Sequence, residues 1–234
     1  MEMVSEKNHT CMNCLIKQHS LFDELSYKEL ETLERHRTCI DFGRDETIYK
    51  QGTWPVSLFC LNKGHVKITR TARNGNVQIL GFKKPVDFLG FQSLMTDEPY
   101  ATSAVAIDEA SVCCINKDDF YEVVSGNNAL ALGIITYQAK LIREAKERIV
   151  AVTQKNMRSR LADGLLLLAD FFGMGKDGCI NRVLKRRDLA GLSNMSVSNA
   201  IRTLSALEKE GVVALKDKNI FILNQSLLEQ IAAG

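Results

Sequence analysis

Seven cysteines are the side chains with the widest chemistry in this 234-residue chain, and two of them stand as Cys11-x-x-Cys14. The rest are Cys39, Cys60, the adjacent Cys113 and Cys114, and Cys179. An odd count at irregular spacing does not suit a secreted disulfide scaffold; in a reducing compartment such residues are free thiols, metal ligands or redox sensors. A single C-x-x-C supplies only half of a tetrahedral zinc site. None of His9, His19, His36 and His65 marks itself as a haem ligand, and His65, in a β-like run, reads as a half-exposed strand residue. The motif lacks a thioredoxin-like βαβ context. No P-loop, Rossmann glycine run or nucleophile elbow occurs, so an enzyme is not expected.

A second group of residues suits a different chemistry, the reading of duplex DNA. Residues 186–205 can be laid on a helix-turn-helix template. Leu189, Met195, Ala200 and Leu204 fall where two helices meet, and Ala190 is small where they approach closely. Asn194 takes the turn position that needs a left-handed backbone, which asparagine tolerates. Ser196 then caps a second helix that Gly211 ends. Ser193 and Thr203 stand where aliphatic residues would be more comfortable. The following VVALKDKNIFIL reads as two short strands around a polar turn, the wing of a winged helix. Lys185, Arg186 and Arg187 are candidate phosphate clamps. Ser196 begins the reading helix, and Val197, Ser198, Asn199 and Arg202 are the candidates for base edges. Arginine matches the two acceptors of guanine, asparagine matches adenine, and valine methyls can meet a thymine methyl.

Charge agrees with that placement. The whole chain carries a formal +2, yet between 155 and 219 twelve basic residues face seven acidic ones. The basic excess is therefore local to the segment whose affinity would come from phosphate neutralisation.

These side chains need a scaffold. The stretch 128–153, NALALGIITYQAKLIREAKERIVAVT, has no proline and only Gly133, so one helix of roughly seven turns is allowed. Ala131, Ile135, Gln138, Ile142, Ala145, Ile149 and Val152 recur in three- and four-residue steps, the seam of a two-stranded coiled coil. Leu130, Ile134 and Leu141 form a second apolar line beside it. The helix is expected to be a dimer axis joining two domains. Before it, TIYKQG, SLFCLNKG, HVKITRT and NVQILGF alternate between glycines, as in a small antiparallel barrel or roll. Asn74-Gly75 is the strongest hairpin signal, both residues tolerating positive φ. Short helices are expected at Tyr27–Arg35, capped by Ser26, and at Lys117–Val124; Met157–Phe172 reads as a longer one, and Cys179–Leu184 as a short strand.

Composition is ordinary for a globular protein, 45% hydrophobic and 25% charged. No apolar run approaches a membrane span, and the N-terminus lacks the apolar core of a secretory signal, so a cytoplasmic location is expected. The expected division is a Cys-containing segment at 1–20, a β-roll sensor at 21–126, a dimerisation helix at 127–154, and a winged helix-turn-helix at 155–234.

In that order, ETIYKQG, SLFCLNKGHVKI, DFLG at 87–90, TSA at 102–104 and LAGLSNMSVSNAIRTLSALEKEGVV resemble the family of the cyclic-AMP receptor protein and the fumarate-and-nitrate-reduction regulator (CRP/FNR). The resemblance covers essentially the whole chain. It implies an α+β fold: an N-terminal double-stranded β-helix (a jelly-roll, cyclic-nucleotide-binding-like roll), the long dimerisation helix, and a C-terminal winged helix-turn-helix. It also implies a homodimeric transcription regulator that binds inverted-repeat double-stranded DNA and works with RNA polymerase. The alternative is a thiol-redox or interaction protein that uses the roll without specific DNA binding.

Cyclic-nucleotide binders of this family place a glutamate after the glycine of the F-x-G run and an arginine about ten residues later. Here Phe91 follows Gly90 and EPYATSA (98–104) holds no arginine, so cyclic AMP is not the expected effector. The oxygen-sensing branch carries a [4Fe–4S] cluster on three N-terminal cysteines and one from the roll. Cys11, Cys14 and Cys113 match three of those positions, while Ser20 stands near the fourth. The resemblance thus leaves two readings of the thiols, an iron–sulfur site or unligated structural or redox-reactive cysteines.

Overall fold

The computed structural model describes residues 20–182 and 184–234; Cys11, Cys14, His9 and His19 lie outside them. The chain divides into two compact units. One takes its described residues from Met1–Thr71 and Leu80–Leu141, the other is Ala72–Ile79 with Ile142–Gly234.

In the first unit, α1 (Tyr27–Glu34) starts at Ser26, whose hydroxyl accepts from the Glu29 amide while Glu29 accepts from the Ser26 amide at 2.7 Å. Both orphan donors are satisfied by this reciprocal cap. Eight strands follow: β1 (Thr38–Phe42), β2 (Thr47–Tyr49), β3 (Ser57–Lys63), β4 (Val66–Thr71), β5 (Val77–Lys83), β6 (Phe88–Leu89), β7 (Ser103–Ala106) and β8 (Ala110–Asn116). They form two four-stranded sheets, ordered β1-β8-β3-β6 and β2-β7-β4-β5. The β-branched and aromatic runs between glycines are these strands. The β4–β5 turn differs from the expectation of two left-handed residues, because Gly75 alone takes a positive φ there, with its amide donating to Ala72. The loop is longer than a two-residue hairpin, so one left-handed residue closes it.

The roll has two cores. Tyr49, Leu61, Val66, Leu89, Tyr100, Ala104, Ala106, Ala110 and Val112 pack together in one. On the other side of β3 and β8, Leu58 and Ile115 join Phe22, Leu33, Phe88, Phe91, Leu94 and Phe120. Strand residues of alternating direction thus feed both cores, which is why β8 reads as nearly continuous apolar sequence. Two short elements were not anticipated: α2 (Phe91–Thr96), a helix set on the left-handed Gly90, and α8 (Gln225–Ala233). Next, α3 (Lys117–Gly126) is capped by Asn116, which accepts from the Asp118 amide at 2.8 Å.

The long helix α4 runs Asn128–Gln154, 27 residues and roughly 40 Å. Leu130 and Ile134 are buried in the second roll core, the role expected of the flanking apolar line. On the seam, Ile135, Ile142 and Ile149 are 63%, 53% and 62% exposed. Ala145 is exposed too, whereas Ala131, Gln138 and Val152 are half-buried.

The second unit contains α5 (Met157–Phe172), α6 (Arg186–Leu192), α7 (Val197–Lys209), β9 (Val213–Lys216), β10 (Asn219–Ile222) and α8. Leu161, Leu165, Leu168, Leu189, Leu204, Leu207 and Leu228 are among its most buried side chains. Arg148 donates within this unit to the carbonyls of Ile79 at 3.0 Å and Leu192 at 3.4 Å. The expected strand at Cys179–Leu184 is instead two isolated bridges, Met174 to Ile180 and Cys179 to Phe221. Gly173 and Gly178 turn the chain at φ 75° and 79°, leaving too few residues in line to extend a ladder.

Glycine substitution separates backbone strain from packing. Gly75→Ala, at φ 81° with open space around it, is expected to lose about 1 kcal/mol. Gly90→Ala, at φ 68° with Tyr100 2.5 Å from the new carbon, is expected to lose about 2 kcal/mol or more. Urea midpoints of the two variants check the order.

Candidate DNA-binding surface and sensor-domain thiols

The helix-turn-helix is built by a short list of residues. Lys185 precedes α6 with extended backbone and gives no side-chain cap. Leu189 and Ala190 are buried at 1% and 2%, so α6 and α7 meet over a small side chain as the sequence suggests. The chain leaves α6 through Asn194 at φ 50°, and the Met195 amide donates to Ala190 at 3.0 Å. Ser196 then caps α7, its hydroxyl accepting from the Asn199 amide at 3.2 Å. Ala200 and Leu204 face inward and Met195 is half-buried. Ser193 is buried with no partner for its hydroxyl among the described residues.

With Ala200 and Leu204 inward, the opposite face of α7 points to solvent. Val197 and Ile201 are 43% and 46% exposed, and Ser198 and Arg202 are exposed beside them. Arg202 donates to the Asn199 side-chain oxygen at 2.5 Å, and the Asn199 amide reaches Met157 Sδ at 3.4 Å. The amide thus props the guanidinium from below. Arg202 stands ready as a paired donor and Asn199 is half-buried under it. Ile201 is the residue sequence reasoning left out of this face; its position one turn after Val197 was the available signal.

Flanking charge is uneven. Lys185 and Arg187 are exposed, but Arg186 is half-buried with one guanidinium nitrogen shielded and unpartnered among the described residues. Arg158 pairs with Glu210 through two contacts, joining the first turn of α5 to the end of α7. The β9–β10 turn carries Asp217 and Lys218, both at positive φ, with Lys216 over the Phe221 ring at 5.8 Å. Two lysines at the wing tip therefore extend the basic surface beyond the residues singled out from the sequence.

On the roll, the register of β1 against β8 sets Cys39 opposite Cys113, and β3 against β8 sets Cys60 opposite Cys113. The Cys39 and Cys113 sulfurs are 3.0 Å apart. Arg37 points at both, 2.6 Å from Cys39 and 3.6 Å from Cys113, and is itself held by Glu34 at 2.7 Å. Burial pushes the Cys113 thiol well above the ordinary range, the Cys39 thiol adds to this, and Arg37 opposes it. Cys114 points the other way, into the roll, where burial pushes its thiol up to about 11.

These described donors do not by themselves fit an iron–sulfur site. No group of three or more His, Cys, Asp or Glu is placed to hold a metal among the described residues. A metal at about 2.3 Å from each sulfur in a tetrahedral site would hold the sulfurs roughly 3.8 Å apart. The observed pair is closer than that. Of the three cysteines the resemblance implies, only Cys113 is described.

At the position where cyclic-nucleotide binders carry glutamate, Phe91 is buried at 6% in the apolar core. Tyr49 and Tyr100 stack at 4.0 Å between centroids, with Phe59 beyond Tyr49 at 6.0 Å. Apolar and aromatic groups fill the space beside Gly90, and burial pushes both tyrosine hydroxyls up.

A β-roll, a long helix and a winged helix-turn-helix with an exposed reading face define a DNA-binding regulator with a sensor domain. A family model described as a cyclic nucleotide-binding domain matches residues 39–127, and one described as a Crp-like helix-turn-helix domain matches residues 159–231. The chain belongs to the CRP/FNR family of transcription regulators. It is similar to the nitrogen fixation regulation protein FixK of Bradyrhizobium diazoefficiens, 24% identical over 99% of this chain and 98% of that one. It is 26% identical to the fumarate nitrate reduction regulatory protein of Klebsiella oxytoca, covering 95% and 90%. The solved structure of FixK2 from Bradyrhizobium japonicum shares the fold, with a TM-score of 0.72 over 85% of this chain and 98% of that one at 22% identity.

Ser196→Ala is expected to cost about 1 kcal/mol of stability through the lost cap, and Ser196→Asp to retain most of it. Urea unfolding followed by circular dichroism distinguishes the two.

Proposed function

We propose that this regulator acts as a cytoplasmic homodimer, paired through α4, that places two copies of α7 in successive major grooves of an inverted-repeat operator. The observation that carries the reading is the exposed face of α7, where Val197, Ser198, Ile201 and Arg202 lie side by side on a capped helix. Arg202, propped by Asn199, donates to a guanine edge, and the valine and isoleucine offer apolar contact to thymine methyls. Lys185, Arg187 and Lys218 neutralise phosphates and set the register. A long recognition helix flanked by basic residues and a wing is a common docking arrangement, with half-sites about one helical turn apart.

Pairing through α4 accounts for Ile135, Ile142 and Ile149, whose exposed parts would contribute about 1–2 kcal/mol each on burial. Ala131, Gln138, Ala145 and Val152 complete the seam. The domain limits that fit this division are 21–126 for the roll, 127–154 for the helix and 155–234 for the DNA-binding part. RNA polymerase is the further partner that family membership implies. The effector acting on the roll is not cyclic AMP: a buried phosphate would need a cation where this chain has EPYATSA (98–104), and Phe91 stands where the glutamate would.

Selection of bound sequences from a random duplex pool tests the reading. A palindromic consensus is expected. Arg202→Ala is expected to flatten preference at one symmetric position, by roughly ten- to a hundredfold, without changing the mass of the assembly. Retention of unselected duplex alone, or unaltered preference in Arg202→Ala, would contradict it.

A further inference from the structure

Among the described residues, the contact of Cys39 with Cys113 brings two nucleophilic side chains together, and DNA binding does not use it. It is fixed by strand register rather than by a flexible loop. Directly opposed residues on antiparallel strands hold their β-carbons about 4.5–5.5 Å apart, near the separation of about 3.5–4.5 Å that a disulfide spans. The sulfurs, at 3.0 Å, must close by about 1 Å to reach the covalent length of about 2.05 Å. Both cysteines are half-buried rather than sealed in the core, so a small oxidant can reach them. Arg37 grips both sulfurs from the segment between α1 and β1, anchored by Glu34, so the pair is already oriented.

We propose that Cys39 and Cys113 are a reversible dithiol–disulfide site on the β1–β8 face of the roll, oxidised by hydroperoxides. In the first step the Cys39 sulfur, 2.6 Å from the Arg37 guanidinium, attacks the O–O bond of hydrogen peroxide. The sulfur becomes a sulfenic acid, and the departing oxygen leaves as water with the thiol proton. In the second, the neighbouring sulfur attacks the sulfenic sulfur and displaces its hydroxyl, which takes the second thiol proton and leaves as water. Two thiols and one peroxide thus give one disulfide and two waters. A dithiol reductant reverses the bond by exchange.

Geometry separates this site from its neighbours. Cys114 follows Cys113 directly but, by strand alternation, shares the face of Ala110 and Val112 and lies opposite Thr38. Cys60 also faces Cys113 in register, from β3, and packs against the second apolar core; the 3.0 Å sulfur contact is with Cys39. The proposal is independent of the DNA-binding reading, because it concerns a bond within the roll.

Mapping of the cross-link in the full chain is the test. Protein reduced and desalted without oxygen is exposed to hydrogen peroxide, blocked with N-ethylmaleimide, digested with trypsin and analysed by mass spectrometry. The peptide Thr38–Arg44 is expected to be linked to the peptide holding Cys113, and to be released by dithiothreitol. The link is expected to disappear in Cys39→Ser and in Cys113→Ser and to persist in Cys60→Ser and Cys114→Ala. Recovery of Cys39 and Cys113 as separately blocked thiols would overturn the proposal, as would a link from Cys113 to Cys60, Cys11 or Cys14. Fragment-ion sequencing of the wild-type linked peptide, which carries both Cys113 and Cys114, assigns the bonded sulfur should a variant fail to fold.

Discussion

One helix has to satisfy two different surfaces, and the rest of the chain is arranged around that demand. Leu130 and Ile134 of α4 are sunk in the roll's second core, while Ile135, Ile142 and Ile149 on another face of the same helix are left largely in water. Rotating the helix to hide the isoleucines would pull Leu130 and Ile134 out, because side chains four apart share a face and those one apart do not. The geometry of the α-helix therefore leaves an apolar stripe that the described residues do not cover. A second copy, offering the same stripe, is the partner we propose for it.

The roll contributes by being packed on both sides of the β1-β8-β3-β6 sheet. One set of side chains fills the space near the Tyr49–Tyr100 stack, and the other receives α1, α3 and the start of α4. A sheet buried on two faces is a stiff mount for the thiols on its edge. In the C-terminal unit, the left-handed Asn194 and the Ser196 cap set the angle at which α7 emerges, and buried Ala200 and Leu204 dictate which face it shows. Recognition chemistry there is a consequence of packing.

Much of this was readable from residue order. The three- and four-residue steps of α4, the Ser26 and Ser196 caps and the left-handed Asn194 are local signals, and each appears where local physics puts it. Residues whose surroundings come from distant strands were harder. The Cys39–Cys113 contact depends on a register between strands more than seventy residues apart, which no local spacing encodes. Arg186 looked like its neighbours Lys185 and Arg187, but its side chain is half-buried. α2 was missed because its six residues are too few to show a period, and Gly90, which starts it, looked like another turn glycine.

Sedimentation equilibrium of the reduced full-length chain, run beside Ile142→Glu, addresses the α4 stripe most directly. The account predicts twice the chain mass for the wild type. For the variant it predicts a folded single chain that no longer holds a palindromic duplex. A wild-type chain that sediments alone at micromolar concentration, or an Ile142→Glu variant that still pairs, would contradict it.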